Sequence, residues 1–137
     1  MEQIVISIVT ILLSGVLASV ITLFITHSWE QRQLRRQLAY DIFGSKQALI
    51  EGESDDESRR LFSQAMNRVP VVFSAYPKVL SEYDHLHDTL QISNPRERSN
   101  KANEALITFM KELCKAARID VSDWNDGRIT RAFSVKQ

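Results

Sequence analysis

The sequence predicts an all-α protein: an N-terminal single-pass transmembrane helix that continues into a small cytosolic bundle of about four helices. Three observations predict it. Residues 4–26 run for 23 positions without a charge. Beyond them, apolar residues recur at three- and four-residue spacing, the period of one helix face. Only four glycines and three prolines occur in 137 residues, which leaves little material for long connections.

The uncharged run, Ile4 to Thr26, makes about 34 Å of helix, enough to cross a hydrocarbon core of about 30 Å. A cleaved signal peptide has a basic start and a shorter apolar stretch. This chain begins Met1-Glu2-Gln3, and its run is too long, so an uncleaved anchor is expected. Trp29 follows at the position where aromatic rings favour headgroups, and Arg32, Arg35 and Arg36 come next as interface anchors. The positive-inside rule then puts the N-terminus outside and the C-terminal part in the cytoplasm. The expected organisation is an anchor over residues 1–28 and a cytosolic domain over 29–137.

Within the span, Ser7, Thr10, Ser14, Ala18, Thr22 and Thr26 form a stripe of small or weakly polar residues, and Gly15-x-x-x-Ser19 lies beside it. Small residues four apart let helix backbones approach closely in lipid. Self-association of the span is therefore expected, giving a homo-oligomer with membrane lipid around it.

After the span, Leu34, Leu38 and Ile42 recur every four residues and Ala39 pairs with Phe43, so the first helix is expected to continue to about Ile50. Gly52 ends that pattern. Ser54-x-x-Glu57 has the form of a capping box opening a second helix, with Asp55–Arg59 and Asp56–Arg60 as i,i+4 pairs and Leu61, Phe62, Ala65 and Met66 as its buried side. The run Val69 to Phe73, VPVVF, is β-branched and contains Pro70, which predicts a buried connection or a short edge strand. Pro77 opens a third helix with Val79, Tyr83, Leu86 and Leu90 along one side. Asn94-Pro95 opens the fourth, whose core face is Ala102, Ala105, Leu106, Phe109, Met110, Leu113 and Ala117, and which is expected to end near Ile119. An Asn-Asp-Gly turn follows, then a short run that is either extended or laid on the helices.

Charge excludes some functions. Acidic and basic residues balance at 17 each, which argues against duplex nucleic acid as a partner. One cysteine, Cys114, allows no internal disulfide and suits a reducing compartment. It sits beside core residue Leu113 without a neighbouring histidine, a poor setting for a nucleophile. Asp84, His87 and Asp88 share a helix face at i, i+3 and i+4, but no second motif supplies further ligands, so a solvated face is the reading and no metal is expected. Phosphate loops, nucleophile elbows and zinc motifs do not occur in the sequence, and neither an enzyme nor a cofactor is expected. Basic and aromatic residues offer more. Arg59, Arg60, Arg68, Tyr76, Lys78, Trp124, Arg128 and Arg131 are candidates for binding phosphates and unstacked bases, because guanidinium forks and aromatic faces provide that chemistry.

The run VPVVFSAYPKVLSEYDHLHDTL, followed by EALITFMKELCKAARIDVSDW and the basic-aromatic RITRAF, resembles a family of small bacterial proteins of unknown function with an N-terminal membrane anchor and a helical cytosolic domain. Where such proteins close the last long helix with glycine, this chain has Ala117-Arg118. The layout is also similar to membrane effectors of antiphage defence, in which a cytosolic domain binds a cyclic oligonucleotide and the membrane part perturbs the bilayer. That resemblance implies a homo-oligomeric signalling or defence effector with a cyclic oligonucleotide as ligand. The alternative expectation is a non-enzymatic scaffold that tethers a cytosolic protein partner to the inner membrane.

Overall fold

The computed structural model describes residues 1–46 and 55–130, with the side chains of residues 129 and 130 excepted. All of its regular structure is helical: α1 (Glu2–Ser45), α2 (Asp56–Val72), α3 (Pro77–Leu90), α4 (Pro95–Ala116) and α5 (Asp126–Thr130). No strand occurs among the described residues. Two compact units divide the chain, Met1–Gln33 and Leu34–Gln137.

The first unit is helix alone. Its apolar side chains, from Ile4 through Ile25, are exposed, and this helix is long and apolar enough to cross a membrane. Its hydroxyls are satisfied locally: Ser7, Thr10, Ser19 and Thr22 each donate to the carbonyl four residues earlier, at 2.8–2.9 Å. This back-bonding lets a polar side chain sit in hydrocarbon without an unpaired donor.

The second unit is a bundle around one core. The last turns of α1 contribute Leu38, Ala39 and Ile42, all essentially inaccessible. Leu34, expected on the same stripe, is 48% exposed, so the buried face begins one turn later. The end expected near Ile50 lies outside the described residues. Helix α2 adds Phe62, Ala65 and Val69, α3 adds Val79 and Leu86, and α4 adds all seven of its expected core residues. Met66 and Tyr83 pack partly against this core, whereas Leu61 is exposed.

Three local expectations are corrected. The cap of α2 is Asp55, whose carboxylate accepts from the Ser58 amide at 2.7 Å, in place of a box starting at Ser54. Ion pairs in its first turns are seen at i,i+3, Asp56 with Arg59 and Glu57 with Arg60. The VPVVF run is the last turn of α2 and the start of its cap, with Pro70 inside the helix. Helix wins because Val69 and Phe73 lie four apart and are both completely buried, while the Phe73 amide donates to the Val69 carbonyl at 2.9 Å. Tertiary burial thus outweighs the donor lost at Pro70.

The end of α4 shows why a glycine is dispensable there. Arg118 takes a left-handed φ of 57°. The Ile119 amide donates to the Cys114 carbonyl at 2.8 Å and the Arg118 amide to Lys115 at 3.3 Å. These are the two bonds of a Schellman motif, with Ile119 packing back on the core beside it. Helix α4 therefore ends at Ala116, capped by Ala117, and Ile119 belongs to the cap.

Candidate functional site

The expected ligand-binding residues fall in separate places. Arg59 and Arg60 stand in the first turns of α2, and Arg60 is held by Glu57, whose carboxyl is kept below the usual range by that guanidinium. Arg68, a little over two turns on, reaches Asp41 of α1 at 2.6 Å. Tyr76 caps α3 and Lys78 follows in its first turn. The Arg35 guanidinium lies 4.9 Å over the Tyr76 ring, which makes this expected interface anchor a bundle residue as well. Trp124 packs edge-on against Phe43 at 5.7 Å, and Arg128 lies in α5. Arg131 is outside the described residues. Arg59, in the first turn of α2, and Lys78, in the first turn of α3, are separated by the length of α2 and cannot grip one small ligand together.

Among the described residues, three concavities of the bundle contain members of the set, and in one of them Arg68 lies beside its partner Asp41. Among the described residues, a groove of about 360 Å³ opens between α2 and α3. Its floor is Phe62 and Met66 from α2 and Leu86 and Leu90 from α3, each pair at i,i+4. Arg59, Ser63, Asn67, Tyr83 and His87 form the polar rim. The groove exists because α3 packs far more extensively on α4 than on α2. A second hollow lies where the start of α3 meets the end of α4, lined by Ala75, Tyr76, Pro77, Lys78, Glu112 and Lys115. Neither hollow was legible from the sequence, because the 62/66 and 86/90 pairs read equally well as core.

Other candidates are placed plainly. Asp84, His87 and Asp88 are exposed, and no group of three or more metal-ligating side chains occurs among the described residues. Cys114 is fully buried, and desolvation pushes its thiol up to about 11, away from nucleophilic reactivity. In the apolar helix, a Cβ at Gly15 would meet nothing within 4 Å. The helix's own packing therefore gives no reason for glycine at a position where it costs stability.

The fold and these surfaces define a class: an all-α chain with one long apolar N-terminal helix and a small helical bundle whose recognition surfaces are grooves between helices. Within that class the chain belongs to a family of unknown function, DUF6680, which matches residues 1–126. No curated protein and no solved structure matches it.

Proposed function

We propose that the protein is a non-enzymatic, single-pass anchor of the bacterial inner membrane whose cytoplasmic bundle tethers a cytosolic partner protein. The observation that carries this is the α2–α3 groove. Its apolar floor presents two i,i+4 pairs along neighbouring helices, the shape that receives the apolar face of an amphipathic helix. Association of the spans through Ser7, Thr10, Ser14, Gly15, Ala18, Ser19 and Thr22 would multiply such a site in a homo-oligomer, because small residues let helix backbones approach closely in lipid.

A second reading, the ligand-sensing signalling or defence effector, draws on Arg59, Tyr83 and His87 at the rim of the same groove. A cyclic oligonucleotide requires several cations around its phosphates, and Arg59 is the one arginine there among the described residues. One experiment separates the readings. A photo-crosslinking residue at Asn67 of the full chain, in its membrane, should yield a discrete adduct with another protein that Leu90→Glu abolishes and that a crosslinker at Ser99 does not give. Absence of the adduct, together with saturable binding of a cyclic oligonucleotide that Arg59→Ala removes, would replace the tether with the effector.

A further inference from the structure

The corner between α2 and α3 exposes apolar side chains that neither the tether nor the effector uses. Between Glu57 and Glu82 the sequence contains no acid, but it contains Arg59, Arg60, Arg68 and Lys78. Within this stretch the corner exposes apolar side chains. Val71 is 78% accessible, the highest value of any large apolar residue described in the bundle, and Pro70, Ala75 and Pro77 are exposed beside it. Lys78 and Lys115 border the same corner across the hollow at the start of α3, are both exposed, and neither is in an ion pair among the described residues. Among the described residues, Glu112 is the one acid lining that hollow.

Two contacts fix the direction in which this corner runs. Arg68 of α2 meets Asp41 of α1, and Tyr76, eight residues later, meets Arg35, six residues earlier on α1. Moving along the chain from α2 into the corner thus leads back along α1 toward Leu34.

We propose that the α2–α3 corner is a lipid-docking surface, with Pro70, Val71, Ala75 and Pro77 entering the interface of an anionic bilayer and Lys78 and Lys115 meeting its phosphates. An apolar tip ringed by cations is the pattern of interfacial binding, in which burial and attraction to anionic headgroups add. The inference rests on the reading of residues 4–26 as a membrane span. Docking would hold the bundle against the bilayer and set which of its faces is open to the cytoplasm.

The test uses the full chain in vesicles, with a nitroxide on Val71→Cys, on Ser99→Cys at the start of α4, or on Leu12→Cys in the span. Cys114 is buried and stays unlabelled. Vesicles are phosphatidylcholine alone, or contain about one-third phosphatidylglycerol. In the anionic vesicles the Val71 label should become accessible to oxygen and shielded from an aqueous nickel complex, while the Ser99 label stays exposed. Each lysine at an anionic surface contributes a factor of about five, so Lys78→Gln with Lys115→Gln should lower the docked-to-free ratio about 30-fold. Equal nickel exposure at 71 and 99 in anionic vesicles would overturn the proposal. So would shielding at 71 that disappears when the protein is diluted into excess lipid, since a second copy would then be the cover. A Leu12 label outside hydrocarbon would overturn the span itself, and the docking surface with it.

Discussion

Replacing Arg118 by glycine should stabilise the bundle, because the structure holds a bulky L-residue where the backbone favours none. Arg118 sits at φ 57° with its side chain exposed, and both hydrogen bonds of its motif come from backbone amides. An L-residue in the left-handed region costs about 1–2 kcal/mol. Glycine escapes that cost but loses more freedom on folding, about 0.5–1 kcal/mol. The difference leaves a gain of roughly 0.5–1 kcal/mol for Arg118→Gly and almost none for Arg118→Ala, which keeps the Cβ. In a bundle of this size, 1 kcal/mol moves Tm by about 4–8 °C. Thermal unfolding in detergent, followed by the near-ultraviolet signal of Trp124 in a Trp29→Phe background, would register the change separately from the long apolar helix. A destabilised Arg118→Gly, or an Arg118→Ala variant that matches it, would refute the reasoning: the first by showing that the arginine side chain holds the cap, the second by showing that left-handed strain is not the term removed.

Three further predictions concern the helices. Pro70→Ala restores a donor in the last turn of α2, and urea unfolding should show a gain of about 1 kcal/mol or more. The Cys114 thiol is raised by burial from its ordinary value of 9.0 to about 11, so the unfolded chain ionises first as pH rises. Stability that is complete below pH 9 should fall between 9 and 11, by up to roughly 2 kcal/mol more in the wild type than in Cys114→Ala; parallel profiles for the two would contradict it. In the span, Ser14→Leu with Gly15→Leu should reduce oligomer size in nanodiscs while Val16→Leu changes nothing, as read by mass photometry.

Much of the bundle was legible because its helices keep strict periodicity. All seven expected core residues of α4 are buried, from Ala102 to Ala117, since a long helix with one apolar face has one way to lie on a core. Asn94-Pro95 and Pro77 marked two helix starts correctly, as the local chemistry of a cap and of a first-turn proline does not depend on the rest of the fold. What misled was short and non-local. VPVVF reads as a strand by propensity, and only the core awaiting Val69 and Phe73 makes it helical. The candidate site was the least legible part. A list of arginines says nothing of their separation, and Arg60 and Arg68 turn out to be engaged by Glu57 and Asp41. Arg35 shows the same limit, because its place over Tyr76 follows from packing that no spacing within α1 reveals.

The contact of Arg35 with Tyr76 also decides how the topology should be probed. Changing Arg35 would perturb the bundle, so the charge asymmetry is better altered at Arg32 and Arg36. The most direct measurement of the account as a whole is a reporter fused after Gln137, active only on one side of the membrane, read in the membrane fraction after alkaline extraction. The fusion should stay with the membrane and report cytoplasmic, with Arg32→Gln and Arg36→Gln weakening that preference. A fusion released into the soluble fraction, or one that reports the outer side, would contradict it.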